Sequence, residues 1–342
     1  MKLLKVISYN LQNRNASIAW TERAEMLKYY VDKYQPDVMG MQEVTMRNEW
    51  NLYLPAVFDP AEYGFAGEAR TADPTLGAEA NLICYRKNKY HLLDSGTFWL
   101  NETGAREAIG WDAQYPRTCT YVRLQHTVAT DAVLVMNTHL DHKGSEAKEK
   151  GFDLIVRRSK ELAGGAPVVI LGDMNTHENQ KDRLYQKFTA YENLGDVKYL
   201  AEDSDEGPTY IPHTHRNPID HIFVSKNNTK PIKYKVIDEA VNGTISRTIT
   251  GFMQKSASPV FETETFFALR RRKKGLTGFR RFVIMTHAAN NAGVAKSADA
   301  KDLKSFGGNS VPVQVRSPAP CDAESCRIHS TAFLYAKMKM CK

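Results

Sequence analysis

Residues 167–171, Pro-Val-Val-Ile-Leu, form an unbroken apolar run that stops on Gly172-Asp173-Met174-Asn175. Such a run is the pattern of a strand buried on both faces. Three more segments set acid–base or metal-binding residue types at or just past the end of a strand-like run: Ser8-Tyr9-Asn10, Gln42-Glu43-Val44 and Asn137-Thr138-His139-Leu140-Asp141-His142. A fifth, Ile219-Asp220-His221-Ile222, opens a strand. Singly, each has an ordinary reading. An Asn after a strand caps a turn, and a lone Glu or His is a solvated or hydrogen-bonded surface group. Together, in this order, they point to one shared site.

The surrounding pattern alternates. Strands are expected near residues 3–9, 37–44, 81–85, 90–100, 118–124, 132–139, 219–224 and 232–237, and helices at 18–34, from about 45, and at 146–162. Pro36 stops the first helix and Gly164-Gly165 the last, while 203–207 reads as an acidic loop. Many strands with few helices predict an α/β fold of sheet packed on sheet, with helices outside.

Composition narrows the class. No apolar run approaches the roughly 18 residues of a membrane span. Strand-like residues begin at Leu3, so no signal peptide is expected and the location is cytoplasmic by default. Five Cys in 342 residues argue against a disulfide scaffold. The net charge of +7 is unevenly spread: residues 1–245 carry 29 Lys+Arg against 33 Asp+Glu, a balance of −4, and residues 246–342 carry 17 against 6, a balance of +11. A basic surface suited to nucleic acid is therefore expected only of the tail.

With Gly96-Thr97-Phe98-Trp99-Leu100 and Tyr115-Pro116-Arg117-Thr118 as connecting strands, the five segments resemble the endonuclease/exonuclease/phosphatase superfamily, the deoxyribonuclease-I-like metal-dependent phosphoesterases. The resemblance covers residues 2–245 and implies a four-layer α/β/β/α sandwich with its active site at one edge of the two sheets. It also implies a hard divalent cation, Mg²⁺ or Mn²⁺, which takes oxygen ligands and keeps several waters. By resemblance Glu43 is the principal metal ligand and Asn10 contributes to the metal shell. Asp173 and Asn175 hold the attacking water and a phosphate oxygen, and His139 donates to the phosphate. Arg117 is a further candidate for a phosphate contact, and Asp220 orients a later catalytic histidine.

That histidine is missing. The family closes its core with Ser-Asp-His-(aromatic), whereas here Asn242-Gly243-Thr244-Ile245 is followed by Ser246-Arg247-Thr248-Ile249-Thr250. Later His287 and His329 follow no acidic residue. Written TCT CGG ACC ATT ACC, residues 246–250 yield Ser-Asp-His-Tyr when read one nucleotide earlier, which indicates a frameshift just before residue 246. Residues 292–320 resemble a translated leucine transfer-RNA gene. Ala292-Gly293-Val294 and Ser317-Pro318-Ala319 fit complementary acceptor arms, residues 301–306 an anticodon stem, and Val313-Gln314-Val315 a T-loop. The expected organisation is therefore a phosphoesterase-like domain at 1–250 lacking its last motif, and an out-of-frame tail without a domain at 251–342. The run Arg270-Arg271-Arg272-Lys273-Lys274 and the zinc-like Cys321, Cys326 and His329 spacing then lose their force. His213, His215 and His221 suggest a zinc site, but one loop before the Asp220 strand accounts for them, with His221 incidental.

The expected activity is metal-dependent hydrolysis of a phosphoester or phosphodiester in a nucleic acid, a phospholipid head group or a small metabolite, by a monomer. The rival is a catalytically dead, metal- or phosphate-binding remnant.

Overall fold

A computed structural model describes residues 3–12, 19–45, 50–73, 78–129, 131–177, 182–209, 218–242, 244–245 and 248–255. The chain runs β1 (Leu4–Asn10), α1 (Trp20–Tyr34), β2 (Val38–Thr45), α2 (Trp50–Val57), β3 (Tyr63–Ala66), β4 (Glu79–Arg86), β5 (Tyr90–Trp99), β6 (Thr118–His126), β7 (Ala132–His139) and α3 (Ser145–Ala163). It continues with β8 (Val168–Asp173), α4 (Arg183–Thr189), β9 (Leu194–Asp196), α5 (Val197–Leu200), β10 (Asp203–Ser204), β11 (Asp220–Ser225), β12 (Thr229–Ile237), β13 (Ala240–Val241), β14 (Thr244–Ile245) and β15 (Thr248–Lys255).

Two mixed sheets carry the fold. One has the order β10-β12-β15-β1-β2-β4-β3 and the other β5-β6-β7-β8-β11-β9. Side chains of period two sort themselves between three apolar layers. Ile7, Tyr9, Met39 and Met41 face outward to Leu27, Tyr30 and Phe58 of the α1–α2 side. Val6, Ile83, Val122, Val135, Leu171 and Ile222 meet between the sheets. Leu134, Met136, Ile170 and Phe223 face Phe152, Ile155 and Phe188 of α3 and α4. This is the four-layer α/β/β/α sandwich that the resemblance implied.

The inner layer changes character along the strands. On β1 the inward series is Val6, Ser8, Asn10; on β7 it is Val135, Asn137, His139; on β8 it is Val169, Leu171, Asp173. Apolar residues fill one end, and buried amides and then ionisable groups fill the other. The transition is stitched by hydrogen bonds across the two sheets. Gln42 Nε2 donates to Asn137 Oδ1 (2.7 Å) and Ser8 Oγ (3.1 Å), and Asn137 Nδ2 donates to the carbonyls of Met41 (3.0 Å) and Leu82 (2.8 Å). Gly40 permits this approach, because a Cβ there would overlap the Leu171 side chain and lie 2.9 Å from Asn137 Cγ.

Several expectations shift. β2 continues through Thr45, where the second helix was expected to start, and that helix is described from Trp50. The acidic segment at 203–207 starts with the two-residue strand β10, paired with β12. The domain boundary at 250 falls inside β15, which runs to Lys255 between β1 and β12 and buries Ile249 and Met253 in the inter-sheet layer. The tail assignment otherwise falls on residues 256–342, outside the described residues, as do His213, His215, Ser246 and Arg247. No helix among the described residues is long and apolar enough to cross a membrane.

Gly40→Ala is expected to destabilise the protein by about 1–3 kcal/mol, since the new methyl overpacks a seam with no room to relax. Denaturant unfolding monitored by circular dichroism measures this, and an unchanged midpoint would contradict the close approach of β2 to β7.

Candidate active site

Glu43 reaches the site through a break in strand regularity. Opposite β4, the register of β2 shifts between Met41 and Val44, so that Gln42 and Glu43 together oppose one residue. Glu43 adopts φ 58° within this bulge. An extra residue in the left-handed region re-aims the side chains around it. Gln42 consequently turns into the seam while Glu43 turns to the sheet end.

There Asn10, at the end of β1, joins two carboxylates. Its Nδ2 donates to Glu43 Oε1 (2.9 Å) and to Asp173 Oδ2 (3.0 Å), and its Oδ1 accepts from the Gln12 backbone N–H (2.8 Å). Asp173 ends β8, directly opposite Asp220 in the antiparallel register of β11. Gly172, at φ 147°, sets this position, since a Cβ would collide with the Thr138 carbonyl of neighbouring β7. His139, at the end of β7, places Nε2 3.7 Å from Asp173 Oδ2.

Asn175, at φ 45°, closes the turn after β8. Its backbone N–H donates to Asp173 Oδ1 (2.9 Å) and its Nδ2 to the Leu140 carbonyl (3.0 Å). Lys148 of α3 donates to the Asn175 carbonyl at 3.1 Å. Asn175 therefore borders the cluster through Asp173, with one amide proton committed to the Leu140 loop.

Arg117 is fixed from behind. Its Nε donates to Asp141 Oδ2 (3.1 Å) and its Nη2 to His142 Nδ1 (3.2 Å). Asp141 also accepts from the backbone N–H groups of Gln114 (3.0 Å), Lys143 (2.9 Å) and Gly144 (2.8 Å). The loop that delivers Arg117 is tied to the helix as well, because Asp112 Oδ1 accepts from the Ala147 N–H (2.7 Å) in the first turn of α3.

Burial and neighbouring charge tune these groups. Burial, then the guanidinium groups of Arg117 and Arg70, holds the His139 imidazole well below its usual range, so it is neutral at pH 7. Burial pushes Asp173 above the usual carboxylate range. Burial and then the Asp173 carboxylate push Asp220 well above it, with Glu43 adding to the effect. Burial alone would raise Asp141, but the Gly144 and Lys143 N–H groups and Arg117 outweigh it and hold the carboxyl below its usual range.

Of the residues expected in the site, the structure gathers Asn10, Glu43, Asp173 and His139 directly, sets Asp220 beside Asp173, and places Asn175 and Arg117 on the rim. His221 is not incidental. It is buried, with Nδ1 3.0 Å from Asp196 Oδ2 and Nε2 2.9 Å from the Thr176 carbonyl, so both ring nitrogens bind loop to sheet. Sequence reasoning missed Arg70, Glu79 and Asn81. Arg70 Nη1 pairs with Glu79 Oε2 at 3.0 Å in a crevice shared with Arg117 and His139. The signal for β4 was present: Glu79, Asn81, Ile83 and Tyr85 alternate onto one face. A larger, mainly apolar pocket bordered by Leu4, Tyr90 and Met253 lies at the opposite end of the strands.

Fold and site together define a deoxyribonuclease-I-like sandwich with an oxygen-rich acidic centre. The chain belongs to the endonuclease/exonuclease/phosphatase family, whose profile matches residues 7–247. It is similar to a family member from Bacteroides vulgatus (26% identity, TM-score 0.66, covering 75% of this chain and 100% of that one). It is also similar to a mannosyl-6-phosphatase from Bacteroides thetaiotaomicron (25% identity, TM-score 0.62, covering 74% and 99%). The D. rerio TDP2 structure complexed with a single-strand DNA product shares the fold (19% identity, TM-score 0.58, covering 74% and 100%). Curated protein sequences give no match.

Stability is expected to fall in acid in a way that depends on Asp141. Its folded pKa lies below the unfolded value of about 3.9, so its contribution is present above that pH and is lost as pH falls through the folded value. Asp141→Asn should lower stability at pH 7 and flatten the acid limb. Urea midpoints measured from pH 7 to pH 2 test this, and parallel curves for the two proteins would refute it.

Proposed function

We propose that the domain is a metal-dependent phosphoester hydrolase, and that the chain as written lacks the group that takes the proton from the attacking water. The observation that carries the reading is the single Asn10 amide holding the Glu43 and Asp173 carboxylates together beside neutral His139. The similarity to a mannosyl-6-phosphatase and to a DNA-bound enzyme supports phosphoester chemistry and leaves the substrate open.

The donor set suits a hard cation. Glu43, Asp173 and Asp220 offer oxygen only, and burial and then the Asp173 carboxylate raise Asp220, a penalty that a bound cation would relieve. Among the described residues no three His, Cys, Asp or Glu side chains form a ready ligand group. An all-oxygen donor set suits Mg²⁺ or Mn²⁺, which needs one or two carboxylates and keeps water, better than zinc. Glu43 would be the principal ligand. Asn10 orients Glu43 and Asp173, since its own oxygen is turned to Gln12. When bound, the cation would neutralise charge on the phosphoryl oxygens.

The remaining roles belong to the chain. Asp173 would polarise the attacking water. His139, kept neutral by burial and by Arg117, donates an N–H to a phosphoryl oxygen as charge builds there. Arg117, immobilised by Asp141 and His142, adds a guanidinium donor at little cost in ordering. Asp220 has no described imidazole to orient, because the family's Ser-Asp-His is absent from residues 246–250 as written. That absence favours the second reading, a metal- or phosphate-binding remnant.

One experiment separates the two readings. Replacing residues 246–250 with Ser-Asp-His-Tyr-Arg and continuing in that frame should raise the rate about 10²–10⁴-fold on bis-p-nitrophenyl phosphate or p-nitrophenyl phosphate with Mg²⁺. A folded, restored protein with no activity above background would defeat the hydrolase reading. Equal, substantial activity in both would move the base elsewhere, with His142 the first to test. Independently, isothermal titration of the written chain should show Mn²⁺ binding that Glu43→Ala removes, and equal binding by both proteins would eliminate Glu43 as the ligand.

A further inference from the structure

Arg23 puts a charge at the head of the apolar stripe of α1. It shares one helix face with Met26, Leu27 and Tyr30, which pack against the sheet that contains β1, and all four side chains are buried. An apolar residue there would complete the stripe with no polar group to desolvate, so the guanidinium needs partners that offset its burial. Its Nη1 donates to the carbonyls of Leu11 (2.5 Å) and Gln12, the two residues by which the chain leaves β1. Burial lowers the Arg23 pKa, and Tyr9 and Glu43 act against that, so the charge lies within the field of the Glu43 carboxylate.

We infer that Arg23 is a positioning residue of the acidic centre: by clamping the exit turn of β1 it sets the direction of the Asn10 amide, and through it the joint presentation of the Glu43 and Asp173 carboxylates to one cation. The inference rests on the metal-dependent reading above and adds a residue that reading does not use. The chain of contacts is short. Gln12 holds φ 49°, a left-handed conformation that a residue with a Cβ keeps only where its surroundings fix it. Its N–H reaches back to Asn10 Oδ1 at 2.8 Å, the bond of an Asx turn. The Leu11 N–H is held by the Gln42 carbonyl at 3.1 Å, beside the bulge that carries Glu43. The carbonyls of these same two residues are the ones that Arg23 binds, so the turn is fixed through its donors and its acceptors alike.

The direction of the amide matters because its two ends are opposite in polarity. With Oδ1 held by Gln12, Nδ2 serves one oxygen of each carboxylate, at 2.9 Å and 3.0 Å. The reversed amide would lose the Gln12 bond and set its oxygen against both carboxylates. Groups that orient the ligands of a metal in this way govern its affinity without touching it.

Titration of the full chain and its variants with Mn²⁺, below all their unfolding transitions, tests the inference without turnover. Arg23→Met should weaken binding about tenfold or more. Arg23→Lys keeps the charge and a nitrogen able to donate to both carbonyls, and should stay within about threefold of wild type. Leu27→Ala, one turn along the same stripe, should destabilise the protein and leave Mn²⁺ affinity unchanged. Because Arg23 acts through Asn10, adding Arg23→Met to Asn10→Ala should weaken binding less than about threefold further. Should Arg23→Met not fold, Arg23→Gln, which removes the charge and keeps one amide donor group, takes its place. Wild-type affinity in the Arg23 variant, an equal loss in Leu27→Ala, or losses that multiply in full in the double variant would overturn the inference and leave the metal reading standing. Absence of Mn²⁺ binding by the wild type would overturn both.

Discussion

The amide pair Gln42–Asn137 is the interaction on which the acidic centre depends. Two sheets whose inner faces were apolar throughout would have no reason to stop at any register. Asn137 donates to carbonyls on both β2 and β4 and accepts from Gln42, so it joins β7 to two strands of the other sheet at once. Buried amides left unpaired are destabilising, which makes this pattern specific to one registration of the sheets. Two residues further along β7 is His139, and one residue beyond Gln42 is Glu43. The seam thus sets the distance between the groups that carry chemistry.

The inner faces explain how much of the protein was legible in its sequence. Unbroken apolar runs, such as Ala132–Met136 of β7 and Val168–Leu171 of β8, declared both the strands and their polar ends. Such runs predicted sheet packed on sheet with helices outside, and the four-layer order came from the family resemblance. The fault lines lay where local pattern was weak. Trp50–Val57 is a helix containing Pro55, and β2 outlasts the point where the sequence suggested it would end. Arg70 was missed because it sits on no strand; it approaches the crevice beside an isolated bridge between Ala69 and Ala80. No period of two or 3.6 marks such a residue.

The roles inside the motifs were less legible than the motifs. Asn137-Thr138-His139 reads as one cluster, yet its first residue is a structural tie, its second hydroxyl binds the Thr118 carbonyl at 3.0 Å, and its third alone reaches the site. Asp220-His221 divides in the same way, with Asp220 opposite Asp173 and His221 bound into the far wall. Adjacent residues on a strand face opposite layers, so a tripeptide motif supplies at most two groups to one site.

The site is also where the backbone departs from regular geometry. Glu43, one of the two carboxylates bridged by Asn10, and Asn175, two residues past the other, are both non-glycine residues at positive φ. Such conformations are unfavourable by about 1–3 kcal/mol each and persist where surrounding structure fixes them. Here the fixing groups are the seam below Glu43 and, for Asn175, the Leu140 carbonyl and Lys148. A regular strand at residue 43 would point its side chain along the alternation into α-side packing or into the seam, and a regular continuation after Asp173 would carry Asn175 away from β7. The bulge and the turn bring two carboxylates under one amide at a buried sheet end, an arrangement that burial makes unfavourable for folding alone. Its retention beside a neutral imidazole and a clamped guanidinium is intelligible as preorganisation for a cation and a phosphoryl group.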